Sequence, residues 1–378
     1  MRVKRTTKLT VVTLSLMFFA LLTVFLMALA ITLGMTGLSQ AQTLTQEQIG
    51  MLTGPDRQRI LEEGARKEGK VTIYSGMIVD QALRPMIDSF MKKYPYIKAE
   101  FWRADSNKIV QKLLAEARAK AITGDVGEST SLSEPLIKAG VVVPFKSPQL
   151  DVYPKDYTDP KNLWGATRFS YFGIAYNTKA VAAADVPKSY DDLLDPKWQG
   201  KIAWRDGSDT GSSLFVTNIL MLMGEQKGEE YLKKLATQNI VNFTGSARTL
   251  VNRVIEGEYP LALNIFLHHP VISAQKGAPV AALPLEPVPS LNGTVLFIKG
   301  SKNPHAAMLL IDFMLSEEGQ KTFEAADYLP AHPNVSTNPI LQSIIPKKAG
   351  LKENFITPEK LFDLNDKSEE LLKKYFKN

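Results

Sequence analysis

SARTLVNRVIEGEYPLALNIFLHHP, residues 246–270, holds a serine start, a helical run broken near Gly257, a short apolar strand and two adjacent histidines before a proline. A helix that leads straight into a strand is the repeating unit of an α/β sheet. The same alternation extends outward in both directions. Upstream lie the strand GKIAWRD (200–206) and the apolar helix GSSLFVTNILMLMG (211–224), and downstream PVAALPLEP (279–287) reads as another strand. A first unit precedes these: strand VTIYSG (71–76), a helix with Leu83, Met86, Ile87, Phe90 and Tyr94 on one face, and strand AEFWRA (99–104). Asp80 is the expected cap of that helix, and Pro85 should kink it or delay its start. Helix DSNKIVQKLLAEARAKA (105–121) then has Asp105 or Ser106 as its cap. The alternation restarts after TRFSYFGIAYNT (167–178), so two α/β units with mainly parallel sheets are expected. A cleft between them, near the carboxyl ends of the strands, is a standard setting for a small ligand.

At 378 residues the chain is too long for one ordinary core and suggests about two domains. Apolar content of 44% and charged content of 22% describe a globular protein. The net charge of +6 is concentrated at the start, in Arg2, Lys4, Arg5 and Lys8; beyond residue 41 there are 41 basic against 39 acidic residues. No nucleic-acid surface is expected from that balance. Those four cations precede an apolar stretch from Leu9 to Leu33, and Ser39-Gln40-Ala41 fits a small-x-small cleavage pattern. Residues 1–41 are therefore expected to be a cleaved export signal, with the mature chain starting at Gln42 and residing in the periplasm. The other reading of the long apolar run is a retained membrane anchor. The chain has no cysteine, which excludes disulfides, thiolate metal sites, a cysteine nucleophile and a lipid-modified N-terminal cysteine.

The strongest chemical signals are groups that hold an anion. Thr210, Gly211, Ser212 and Ser213 stand directly before one apolar helix, and Gly245, Ser246 and Arg248 open another. Helix N-termini present unpaired N–H groups to negative charge, although such residues also act as ordinary caps. In the first unit the corresponding candidates are Ser75 and Gly76 after the first strand, and Arg103 and Ser106 after the second. Arg103 can grip a carboxylate or phosphonate through two parallel bonds, and Arg205 is a further counter-charge; a surface ion pair is the plain alternative for each.

GIAYNTKAV (173–181), SYDDLLDPKWQGKIAW (189–204), SARTLVNRVIEGEYPLAL (246–263) and GTVLFIKGSKNPHAAMLLIDFMLSEEGQKTF (293–323) resemble the extracellular solute-binding proteins of ABC importers. More narrowly they resemble the branch that includes the ferric-iron-binding periplasmic proteins. The resemblance spans roughly residues 55–340. It implies a type II periplasmic-binding fold, two α/β lobes joined by two crossing strands in Phe169–Tyr176 and Gly293–Lys299. Lobe 1 would comprise 55–168 with 293–378, and lobe 2 would comprise 169–292. By family position Ser129 and Thr130 join the ligand candidates, and Tyr328 lies where the branch brings its C-terminal loop to the cleft.

The ferric branch carries two consecutive tyrosines where this chain has Asn264 to His269, and no Tyr-Tyr pair occurs anywhere in the sequence. Neutral imidazoles suit divalent metals better than Fe³⁺, so no metal and no cofactor is expected. Asn264 and His268 are instead cleft candidates, with one histidine facing the ligand as a hydrogen-bond donor and the other packing or meeting solvent. The expected function is capture of a small anionic or zwitterionic solute, such as an organic acid, phosphonate or amino-acid-like compound, for an inner-membrane permease. The resemblance also implies a monomer and no catalysis. Ferric iron or an iron chelate is the alternative ligand. An exported serine hydrolase, with a serine of TGSSLF as nucleophile and His268 as base, is the alternative of another class, although no Gly-x-Ser-x-Gly elbow is present.

Overall fold

The computed structural model describes residues 44–206 and 210–377. The expected export signal and the start at Gln42 lie outside the described residues. Among those residues no helix is long and apolar enough to cross a membrane.

The first unit forms as its periodicity predicts. Strands β1 (Lys70–Ser75), β2 (Lys98–Arg103) and β3 (Val126–Ser129) run parallel, in the order β2-β1-β3. Helices α1 (Arg57–Glu68), α2 (Arg84–Lys93), α3 (Ser106–Arg118) and α4 (Ser133–Lys138) accompany them. Asp80 does not cap α2. It sits inside a π-helical turn, Val79–Leu83, that runs into α2, and Pro85 then occupies the first turn, where its missing N–H costs nothing.

Two long strands make the sheet mixed instead of mainly parallel. Strand β5 (Gly165–Asn177) and strand β10 (Val288–Ile298) pair antiparallel with each other, and β10 pairs antiparallel with β3. Strand β5 then continues past this pairing. Its second half, Phe172–Asn177, is antiparallel to β8 (Leu261–Phe266) and β9 (Val280–Leu283). On the far side of β8 lie β6 (Ile202–Arg205) and β7 (Val241–Phe243), parallel to it and to each other. One strand thus belongs to both halves. Gly173 sits at the change-over, where a Cβ would stand 2.5 Å from the Leu283 carbonyl oxygen. The return path differs from the expectation: Thr294–Ile298 pairs inside the first half, with β3 and with β4 (Val142–Val143), so the chain crosses back between β9 and Ser290.

Helices α5 (Ser212–Met223), α6 (Glu225–Ala236), α7 (Ala247–Glu256) and α8 (His268–Gln275) cover the second half. Its core gathers Trp204, Phe215, Ile219, Leu232 and Leu263. Helices α9 (Pro304–Leu315) and α10 (Glu317–Ala325) return to the first half, and α9 packs on α1 through the buried Arg57–Asp312 pair. The C-terminal segment does not stay there. Helix α11 (Pro358–Asp363) meets α4, whereas α12 (Asn365–Tyr375) lies on α5, with Leu371 and Leu372 inside the Trp204 core and Thr217 Oγ1 2.8 Å from Ser368 Oγ. Two leucines with few apolar neighbours in sequence gave no sign of which half they would join.

The fold is α/β of the type II periplasmic-binding class, two α/β lobes joined by a two-strand hinge with a cleft between them.

Candidate ligand-binding cleft

The carboxyl ends of β1, β2, β3, β6 and β8 open on one cavity, as expected for crossed α/β sheets. Gly76 lines it, and a Cβ there would sit 2.4 Å from Ser129 Oγ, so only glycine lets the two strand ends approach. Ser129 Oγ is in turn 2.7 Å from Ser106 Oγ, at the first residue of α3, and Thr130 follows on the same wall. From the second half come Thr210, Arg205, and the N-terminal residues of α7, Ser246 and Arg248. Tyr328 closes one side, its hydroxyl accepting from the Ile78 N–H at 3.2 Å.

Eleven of the candidates named from sequence therefore line this cavity, counting Arg103 and His268. Ser75, Gly211, Ser212, Ser213, Gly245 and Asn264 do not. Ser75 Oγ donates to Glu128 at 2.7 Å instead of facing the cleft. Gly211 packs on the Arg205 backbone, with 2.4 Å between an added Cβ and that carbonyl oxygen, and the Ser212 hydroxyl is buried. Asn264 adopts a left-handed backbone conformation (φ 53°) and donates through Nδ2 to the carbonyls of Thr210 and Gly211, at 3.1 and 3.0 Å. It thus holds the loop that carries Thr210.

Both histidines line the cavity, which corrects the expectation that one would pack or meet solvent. Leu267 is a single-residue link between β8 and α8, so His268 and His269 open a helix and project from its first turn. Pro270 does not extend the chain at His269; it occupies the first helical turn, where no N–H is needed. The two rings stand 4.3 Å apart between centroids, and His268 lies 5.3 Å from the Tyr328 ring. Burial, then the charges of Arg248 and Arg168, push the His268 pKa down to about 3. Burial, His268 itself and the guanidiniums of Arg248 and Arg205 hold His269 well below the usual imidazole range. Both rings are neutral.

Sequence reasoning missed Arg168, Phe169 and Ser170 of β5 altogether, along with Ile78, Ala247 and Phe266. Arg168 matters most. It is 6% exposed and ion-paired with the wholly buried Glu128, which also accepts from Thr167 Oγ1 at 3.1 Å. Burial pushes its pKa down to about 10. The available signal was a single charged residue inside a strand of otherwise uncharged residues. Asp105, expected only as a cap, makes no capping bond; its carboxylate lies 3.3 Å from Arg103 Nη2 and 3.6 Å from Arg205 Nη2, linking the two halves across the cleft.

Four arginines thus face one cavity: Arg103, Arg168, Arg205 and Arg248. Arg248 donates to Ser273 Oγ at 2.7 Å, and no carboxylate among the described residues comes within ion-pairing distance of it. The cavity volume of about 70 Å³ is about that of two water molecules at liquid density in this conformation. No group of three His, Cys, Asp or Glu side chains among the described residues is placed to hold a metal ion.

Residues 126–352 match the family described as bacterial extracellular solute-binding protein. This chain belongs to that family. The binding protein is 24% identical over 225 residues to iron uptake protein A2 of Synechocystis, covering 54% of this chain and 63% of that one, so it spans somewhat under two thirds of that relative. An uncharacterized Haemophilus influenzae protein is 26% identical over 68% of this chain and 76% of its own. Among solved structures, the periplasmic binding protein AfuA of Actinobacillus pleuropneumoniae with fructose-6-phosphate bound has a TM-score of 0.69 at 25% identity, covering 82% of this chain and 98% of that one. Iron-bound HitA of Pseudomonas aeruginosa has a TM-score of 0.70 at 22% identity, covering 81% and 99%. The family consists of periplasmic proteins that bind small solutes and work with ABC permeases, and it is not a family of enzymes.

Proposed function

We propose that this solute-binding protein captures a small organic oxyanion, a phosphonate, phosphate ester or carboxylate, and hands it to its ABC permease from the periplasm after removal of the leader at residue 41. The observation that carries the reading is Arg248: a half-buried guanidinium at the N-terminus of α7, facing the cavity with only a serine hydroxyl as its partner among the described residues. A charge removed from water needs a counter-charge, and a helix N-terminus favours the same sign of ligand. Arg103, Arg168 and Arg205 add to that field. Closure about β5 and the 284–290 crossing would replace the solute's water with these fixed donors.

Two of the similar proteins, iron uptake protein A2 and iron-bound HitA, are named for iron. Among the described residues the wall offers one carboxylate, Asp105, already held by Arg103 and Arg205, one phenol, Tyr328, and two neutral imidazoles among four guanidiniums. Fe³⁺ favours several anionic oxygen donors, and this wall repels cations. The donor set therefore supports an anion over a bare ferric ion.

Thermal unfolding against inorganic phosphate, phosphonates, carboxylates and ferric salts tests the reading. A ligand at 100 times its dissociation constant adds about 2.7 kcal/mol of stability. An organic anion is expected to raise the melting temperature equally with and without chelator. A shift seen with iron alone and abolished by chelator overturns the proposal. Arg248→Met, which keeps the aliphatic stem, is expected to weaken the bound anion about 10- to 150-fold, the loss expected for a charge-assisted hydrogen bond.

A further inference from the structure

We infer that the solute carries a hydroxyl beside its oxyanion, and that His268 reads that hydroxyl. This rests on the oxyanion reading above and narrows it. His268 is 5% exposed and lines the cavity, and neither Nδ1 nor Nε2 has a hydrogen-bond partner among the described residues. The adjacent His269 Nδ1 is likewise without one. Buried polar atoms are almost always paired, so a buried ring with both nitrogens open awaits a partner from outside the chain.

The ring's charge state defines that partner. A neutral imidazole shows one N–H donor and one bare acceptor nitrogen. An oxyanion answers the donor but brings no hydrogen for the acceptor. Something on the solute must supply an O–H or N–H. An ammonium is disfavoured, because four arginines against Asp105 and Glu128 leave the described wall net positive. A hydroxyl meets no such repulsion. Phe266 and Tyr328 flank the His268 ring at 5.8 and 5.3 Å, so the ring cannot swing far to find a distant group. The hydroxyl therefore sits on a short arm next to the head.

Hydroxymethylphosphonate and ethylphosphonate have the same heavy-atom skeleton and differ by O–H against CH₃. Glycolate and propionate repeat the comparison with a carboxylate head. Titration calorimetry of the purified protein is expected to show the hydroxylated member of a pair binding about 10-fold tighter or more. In His268→Phe the two members should bind within about twofold of each other, with the methyl compound no weaker than in the parent. His268→Asn keeps an acceptor and should retain part of the preference, which guards against a misfolded phenylalanine variant. Equal affinities in the parent protein, as when a water fills the gap, overturn the inference but leave the oxyanion reading standing. A preference that survives intact in a folded His268→Phe removes His268 from the role. Failure of all four compounds to bind overturns the oxyanion reading itself, and this inference with it.

Discussion

Acidification from pH 6.5 to pH 5 is expected to cost the protein about 2 kcal/mol of stability through His268 alone. In the unfolded chain this imidazole titrates near 6.5, whereas in the fold it resists protonation down to about 3. Between those values the unfolded state binds more protons, so stability is full above pH 6.5 and falls as pH drops toward 3. His269 acts in the same direction over the same onset. Burial is the largest cause, and the charges that add to it are on three different elements: Arg248 of α7, Arg168 of β5 and Arg205 of β6, with Tyr328 packed alongside. Denaturant unfolding between pH 7 and pH 4.5 measures the effect. His268→Phe should reduce the proton uptake on unfolding by about one at the acid end. Parallel stability curves for parent and variant would show that the ring is not held neutral by its surroundings.

Glu128→Ala is expected to destabilise the protein by about 3–5 kcal/mol, the cost of leaving a buried charge without its partner. Glu128 is fully buried at the end of β3 and holds Arg168 while accepting from Ser75 and Thr167. Loss of the carboxylate strands the Arg168 guanidinium in the strand shared by both halves. A saturating organic anion should recover part of the loss, because it offers Arg168 another negative partner. The double replacement Glu128→Leu with Arg168→Met should be far less destabilising than Glu128→Ala, since buried pairs exchange for apolar groups at little net cost. Denaturant midpoints of the three variants, with and without anion, decide it. A Glu128→Ala loss under about 1 kcal/mol would mean that water reaches Arg168.

The sequence by itself determined the α/β units, because hydrophobic periodicity is a local property: VTIYSG, AEFWRA, SARTLVNRVIEGE and YPLALNIF all form the elements that their spacing predicts. It also pointed to Ser, Thr, Gly and Arg side chains standing before helices, since groups there can meet a negative charge by a mechanism that needs no neighbour. Arg103, Ser106, Ser246 and Arg248 were legible for that reason, and all four line the cleft. What only the tertiary structure decided depends on which strand crosses between the halves. Arg168 reaches the cleft because β5 leaves one set of strands for another halfway along its length, and nothing local to TRFSYFGIAYNT marks that point. Asn264 looked like a ligand residue but braces the Thr210 loop, because its left-handed backbone turns the amide away from the cavity. His268 and His269 were visible as a pair, yet a one-residue link and a proline in the first turn of α8 set both rings on the same wall. Side-chain direction at such a junction is fixed by packing against Phe266 and Tyr328, contacts made by residues on separate segments.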